Sequence, residues 1–477
     1  MVWLMSAAWS LGTPLFSAPD EQAHVANAAA VVRGQVFVET TPAKDVSSLP
    51  THDVEIPRVI ADSLYLKDCF IMRSAVPATC VPAYPSAGDD LAVVDDPAAN
   101  YPPLYYAVVG LPTLIIDGPD TFRVMRLVSA LLFALGVGLA LFSVERTLGT
   151  HVGFVTLVAL TPMVTWLAGS VNPQSLEFGS AFAAVALLGL AGVSEKHRRF
   201  HLVAGGAAIA LLAFSRPASL AWVVVLTVLV AVTIGMTRWR SLLHVPALRG
   251  ALALSALGCV AAVIWYVAGD PGSSLRPVPD PTVTTFSDIL RYTTDRLQGY
   301  TSQMVGSFGW LDTPAPQEAV LAYWLGFGGV LMTALLHGPN RVAVALGAGL
   351  VLIPISAAVI QYPTLTTAGV IWQGRYSLPL LIGLAVLGAL HTYRLGHRVG
   401  RRLAWATTTI VGFVHVLSAR QALERFWVGL DKDPLTLSAL PPTARLGMTL
   451  ALVCVMILGV LWFTGCRTSP VRSDAHG

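Results

Sequence analysis

The chain has 477 residues, 55% of them hydrophobic and 12% charged, where a soluble domain carries roughly a quarter charged, so a soluble globular enzyme is excluded. Thirty Lys and Arg against 27 Asp and Glu leave a formal charge of +3, and without a dense basic block this offers nucleic acid no electrostatic footprint. Five cysteines, 31 prolines and 41 glycines fit neither a disulfide scaffold nor a low-complexity chain. The composition is that of an all-α, polytopic integral membrane protein.

Met1 to Phe16 is apolar but, at 16 residues, shorter than the about 20 that cross a bilayer. It lacks the basic start and small-residue cleavage site of a signal peptide. It is expected as a first transmembrane helix, short in the way that a start codon placed too far downstream would leave it. Residues 17–122 follow as a first outer loop with short interfacial helices. Val124 to Val144 is a span with a single charge, Arg126. His151 to Val193 is too long for one crossing and splits at Ser170-Val171-Asn172-Pro173, where proline ends a helix and Asn-Pro marks a turn.

His201 to Met236 would be a helix of about 54 Å against a hydrocarbon core of ~30 Å, so it folds as a hairpin at Ser215-Arg216-Pro217. Gly250 to Gly269 crosses next, and residues 270–318 form a second large outer loop. Ala319 to Leu336, Val342 to Ile360, Ser377 to Tyr393, Leu403 to Ala419 and Leu446 to Gly465 complete the spans, and residues 466–477 form a short cytoplasmic tail. The expectation is one polytopic domain over residues 1–477 with about 12 transmembrane helices (11 to 13), both termini on one side.

Orientation follows from Lys and Arg in the short loops. Arg146, Lys196, Arg198, Arg199, Arg238, Arg240, Arg249, Arg341, Arg394, Arg398, Arg401, Arg402, Arg467 and Arg472 share one side with only Glu145, Glu195 and Asp474. That side reads as cytoplasmic, and the long acidic loops face outward. The expected location is the plasma membrane, both termini cytoplasmic and the active face outward.

In the first outer loop Cys69 and Cys80 suit a local disulfide in an oxidising compartment. Cys259, Cys454 and Cys466 lie in or at the end of apolar runs as packing residues. No CxxC, HExxH, Walker or GxSxG motif is present, so zinc, ATPase and serine-hydrolase chemistry lack support.

Pro19-Asp20-Glu21-Gln22-Ala23-His24 puts two carboxylates at a helix N-terminus with an imidazole one turn on. It reads either as a general base with its partner or as an acidic cap at the membrane interface. Asn100-Tyr101-Pro102-Pro103-Leu104-Tyr105-Tyr106 is a rigid aromatic segment, either an interfacial belt or a binding surface. Trp310 beside Asp312 has the chemistry to stack on and hydrogen-bond a sugar, and an interfacial Trp is the plainer reading. Arg126, Arg216 and Arg375 lie at outer helix ends, where charge is costly without a partner. They suit bidentate phosphate binding or, for Arg216, a salt bridge to Glu177.

The order PDEQAH, YPPLYY, SVNPQSLEF, SRP, GSFGWLDTP and QGRYSLP resembles the polytopic family catalogued as domain of unknown function 2142, over nearly the whole chain. That family is in turn similar to the glycosyltransferase C superfamily, which has a helical membrane domain and an acidic motif in its first outer loop. Its members take sugar from a polyprenyl-phosphate carrier on the outer face. The resemblance implies Asp20 or Glu21 as the catalytic base, with His24 as the partner that the spacing suggests. Substrate binding would fall to Tyr105, Tyr106, Arg126, Asn172, Arg216, Trp310, Asp312, Arg375 and Tyr376.

The implied partners are a polyprenyl-phosphate-linked sugar, an envelope glycan, lipid or protein acceptor, and membrane lipids. No cofactor is expected. No obligatory metal is expected either, two adjacent acids being a thin ligand set. A transporter or flippase of lipid-linked glycans, or an envelope glycan polymerase or ligase, stays open as an alternative. Charges gathered outside the spans favour outward-facing chemistry over passage through the bilayer.

Overall fold

The computed structural model describes residues 1–41, 51–85, 90–269, 283–365, 369–430, 432 and 435–467. Some 74% of the chain is helical. The first helix, α1 (Val2–Gly12), leads into a region holding α2 (Glu21–Val31), β1 (Asp53–Pro57), α3 (Arg58–Ser63), β2 (Leu91–Asp95) and α4 (Pro103–Val109). Strands β1 and β2 pair antiparallel from Asp53↔Asp95 to Pro57↔Leu91, a ribbon that helical periodicity did not announce. Helix α2 is buried almost throughout, packed on α4 and β1 rather than lying flat with one wet face.

Helices α5 (Asp120–Leu148), α6 (Thr150–Thr156), α7 (Pro162–Ala168), α8 (Gln174–Val193), α9 (Arg198–Ala213), α10 (Ser219–Ile234), α11 (Met236–Leu243) and α12 (Pro246–Gly269) follow. After them come α13 (Phe286–Asp295), α14 (Leu297–Val305), the short hairpin of β3 (Ser307–Phe308) and β4 (Thr313–Pro314), α15 (Gln317–His337) and α16 (Asn340–Gln361). The last three are α17 (Leu378–His391), α18 (His397–Trp427) and α19 (Pro442–Arg467). The core sits around α8 and α17, which are buried nearly end to end. Small residues let the neighbours close in: a Cβ on Gly136 of α5 would lie 2.6 Å from the Gly179 carbonyl oxygen of α8, the close backbone approach that drives helix association in lipid.

Among the described residues, six helices are long and apolar enough to cross a membrane, or up to eight if each of two bent pairs counts as one span. About 12 were expected. Helices α1 and α9, at 11 and 16 residues, fall short of a crossing. The expected span from His151 is broken: α6 and α7 meet at 81°, because Pro162 starts a new helix whose Val164 N–H is capped by the Thr161 hydroxyl at 3.2 Å. The hairpin at Ser215-Arg216-Pro217 and the break before Gln174 are where the turn residues put them.

The basic loops meet at one end of the bundle. Lys196 Nζ donates to the Arg146 carbonyl at 2.6 Å, Arg198 and Arg238 share Glu195, and Arg341 Nε donates to the Thr233 carbonyl at 2.9 Å. Asp20, Arg126, Arg216 and Arg375 lie together at the opposite helix ends. Part of the second outer loop (270–282) and most of the expected tail (468–477) lie outside the described residues.

Candidate functional site

Arg126 projects from the second turn of α5 onto Glu21, the first residue of α2. Its Nε and Nη2 each donate to a Glu21 carboxylate oxygen at 2.6 Å. Its remaining N–H groups go to the carbonyls of Ser10 and Thr13, both at 3.1 Å, and Pro14, at 2.7 Å. All five guanidinium donors are thereby used. Glu21 also accepts the Val171 N–H at 3.0 Å. This buried clamp ties the end of α1, the start of α2, α5 and the α7–α8 turn into one joint.

Asp20 is the residue before the clamp and faces the other way. Its backbone is left-handed (φ 64), a costly conformation for a residue with a side chain. Its carboxylate caps no N–H of α2, which removes the capping role for this residue. Instead Oδ2 accepts from Arg375 Nη2 at 2.7 Å, and the side chain is 49% exposed. Burial of the carboxyl works to raise its pKa, but the Arg375 guanidinium, with His24 and Arg216 beyond it, holds it below the usual carboxylate value.

Arg375 is buried. Its Nη2 also donates to the Tyr376 hydroxyl at 3.3 Å, while Nε and Nη1 have no partner among the described residues. Arg216 sits across the same ring: the two guanidinium carbons lie 5.2 Å (Arg216) and 5.1 Å (Arg375) from the Tyr376 centroid. Arg216 Nη1 is 3.6 Å from Glu177, which accepts from the Ser219 hydroxyl at 2.6 Å, and Arg216 Nε is buried with no partner among the described residues. Buried donors without acceptors are rare and costly. Two buried guanidiniums, each with N–H groups lacking a partner among the described residues, thus stand about one tyrosine ring beside the Asp20 carboxylate.

His24 stands behind Asp20, sharing a hydrogen bond of 2.9 Å between Nδ1 and the Tyr106 hydroxyl and meeting Tyr101 edge-on at 5.6 Å. Burial, reinforced by Arg216 and Arg375 and opposed by Asp20, brings its pKa down to about 3, so the imidazole is neutral. Tyr105 shares a hydrogen bond of 2.9 Å with Ser129, which donates to Ser175, also at 2.9 Å. Both Tyr105 and Tyr106 are fully buried, which leaves them supporting the site rather than lining it. Asn172, also buried, reaches the Pro19 carbonyl at 3.5 Å and accepts the Gln174 N–H at 3.0 Å, fixing the α7–α8 turn against the Pro19-Asp20 bend.

Asp312 belongs to a different cluster. It accepts from Arg425 Nη2 at 2.7 Å, and Arg425 also donates to the carbonyls of Val76 and Phe70. These carbonyls lie in the loop closed by the Cys69–Cys80 disulfide, whose Cα atoms are 6.1 Å apart. Trp310 is partly buried, with Nε1 lacking a partner among the described residues. Asp312 is thus committed to a protein cation, as Arg126 is to a carboxylate, and neither is free to bind substrate as the sequence reading had them.

Three residues that the sequence reading left out of the site take part in it, and a fourth holds the separate Asp312 cluster. Tyr101 lies beside Arg216, Glu177 supports the same arginine, Gln174 donates to the Arg375 carbonyl at 3.3 Å, and Arg425 anchors Asp312. The first three lie inside the motifs YPPLYY and SVNPQSLEF or directly beside them, so proximity in sequence was their signal. Arg425 had none. Among the described residues no three His, Cys, Asp or Glu side chains gather to hold a metal.

No curated protein matches the chain. Two crystal structures of ArnT from Cupriavidus metallidurans are similar to it, each over about three quarters of ArnT's own length. The one bound to undecaprenyl phosphate has 16% identity and a TM-score of 0.46 over 97% of this chain and 76% of that one. The apo state has 15% identity and a TM-score of 0.45 over 96% and 75%. The family model of the predicted membrane proteins DUF2142 matches residues 3–384, and the chain belongs to that family of multi-pass membrane proteins.

Proposed function

We propose that the protein is a membrane glycosyltransferase. It moves a sugar from a polyprenyl-phosphate carrier to an acceptor hydroxyl on an envelope glycan, lipid or protein, at the outward face of the plasma membrane. The observation that carries this reading is the pair Arg216 and Arg375 about the Tyr376 ring, with three buried nitrogens that have no partner among the described residues, beside the half-exposed Asp20 carboxylate.

The phosphate of the carrier takes the free edges of the two guanidiniums. Asp20, ionised at neutral pH, accepts the proton of the acceptor hydroxyl as that oxygen attacks the anomeric carbon in line. The bond from that carbon to the phosphate oxygen breaks, and the arginines stabilise the charge left on the lipid phosphate. Tyr376 spaces the guanidiniums, neutral His24 and Tyr106 back the carboxylate, and the Glu21–Arg126 clamp positions Asp20. Outward placement is supported by the disulfide, which persists in oxidising compartments, and by the basic loops gathered at the other end.

The test is release of polyprenyl phosphate by the protein in lipid nanodiscs, offered a panel of synthetic polyprenyl-phosphate sugars and followed by mass spectrometry. Acceptor-dependent release is expected, reduced at least about 100-fold by Asp20→Asn, as loss of a general base does. Arg375→Gln is expected to raise the donor KM about tenfold or more, the worth of a charge-assisted hydrogen bond. Silence with every donor, together with an unchanged envelope glycan profile in a deletion strain, would refute transfer. A product extended by many sugars rather than one would shift the reading to a polymerase.

A further inference from the structure

The basic end of the bundle has a feature that the transfer site does not use. Helix α9 packs tightly along α12, Gly206 against Ala251 and Gly258 against Ala210, whereas α10 packs on α8 and α16. Between α10 and α12 this leaves a groove of about 450 Å³, lined by Leu188, Ile209, Val228, Leu252 and Ser255 among others. Helix α11 closes one end. The chain turns by 104° after Ile234, Trp239 and Leu242 line the closed end, and Trp239 Nε1 donates to the Ala231 carbonyl at 3.0 Å. Arg198 Nη1 donates to Ser241 Oγ at 3.3 Å, holding α11 to the start of α9.

The lining of the groove on α12 runs from Leu248 to Cys259, about 16 Å of helix and half of a ~30 Å hydrocarbon core. That depth suits the acyl chains of one leaflet and is too short for a helix from a second copy. The end closed by α11 lies at headgroup depth, since α11 exposes Met236 (71%) and Leu243 (65%) as an interfacial helix does. Arg240 on α11 and Arg249 at the start of α12 are both exposed and make no ion pair among the described residues. Two cations without counter-charge at headgroup depth favour an anionic lipid, since a zwitterionic headgroup brings its own cation to the same rim.

We infer that the α10–α12 groove binds one anionic phospholipid of the leaflet facing the basic loops, its acyl chains against α8 and α9 and its phosphate held by Arg240 and Arg249. The site is independent of the sugar-transfer reading, and its test needs no turnover.

The full chain is released from nanodiscs containing equal phosphatidylglycerol and phosphatidylcholine of matched acyl chains, and retained lipids are counted by native mass spectrometry. One phosphatidylglycerol per chain is expected in preference to phosphatidylcholine. Arg240→Gln with Arg249→Gln should weaken its retention by more than about tenfold, at roughly fivefold for each arginine near a charged surface. Thr227→Trp, filling the groove from α10, should lower retention of both lipids while the thermal transition stays in place. Equal retention of the two lipids by the unaltered protein, or undiminished phosphatidylglycerol in the double arginine variant, would overturn the site. A dimer that Thr227→Trp dissociates would assign the groove to a second copy instead.

Discussion

His24 is buried and neutral beside a carboxylate and two arginines, and its titration gives the fold a pH dependence of known sign. The unfolded imidazole takes its proton near pH 6.5 and the folded one near pH 3. Between those values the unfolded state binds more protons, so the stability His24 contributes is complete above pH 6.5 and falls with pH, by up to about 1.4 kcal/mol per unit. The thermal transition followed by tryptophan fluorescence should therefore drop from pH 7 to 4.5, and His24→Gln should flatten the drop. An unchanged slope in that variant would place the proton uptake elsewhere. The adjacent acids separate by a second measurement. Glu21→Gln leaves the Arg126 charge uncompensated in a buried joint, which costs about 3–5 kcal/mol. It should lower the transition strongly while the folded fraction keeps transfer activity within a few-fold. Asp20→Asn acts on a half-exposed side chain whose amide oxygen can still accept from Arg375, so it should cost much less stability and lose turnover, and a swapped pattern would exchange the roles given to the two carboxylates.

The element that presents Arg375 is a short turn before α17 pressed against α14. The Gly374 N–H donates to Gln303 Oε1 at 2.7 Å, and a Cβ on Gly374 would lie 2.2 Å from the Tyr300 carbonyl oxygen. Gly374→Ala must push the turn off α14, and a displacement of about 1 Å at a positioning group can cost 100-fold in rate. The expected result is a rise in donor KM resembling that of Arg375→Gln with no charge removed, and a KM like that of the unaltered protein would free the turn from this role. Such elements were legible where the signal is local. Asn172-Pro173 and Ser215-Arg216-Pro217 mark their own turns, and the apolar runs announced the long helices. The break at Thr161-Pro162 escaped because the run around it has the length of one crossing. What the sequence did not reveal depends on residues far apart in it. Glu21 and Arg126 are separated by 105 positions, and Asp312 and Arg425 by 113, so no spacing rule could show that two of the candidate substrate ligands were already occupied.

The whole molecule divides its charge between two ends, and the direction of that division decides which solution the Asp20 site meets. The short basic loops and the C-terminal tail carry 14 Lys and Arg against three acids, a bias that insertion machinery leaves on the cytoplasmic side. The carboxylates of the candidate site and the disulfide-closed loop lie at the other end. Single cysteines report this directly on a background in which Cys259, Cys454 and Cys466 are serine. Asp117→Cys, before α5, and Arg199→Cys, at the start of α9, are both exposed positions at opposite ends. In intact cells a membrane-impermeant maleimide should label the first and reach the second only after lysis. Labelling of Arg199→Cys alone would turn the protein over in the membrane. Arg216, Arg375 and Asp20 would then meet the cytoplasm, where a soluble nucleotide-sugar is available as donor and the case for a lipid carrier loses its main physical reason.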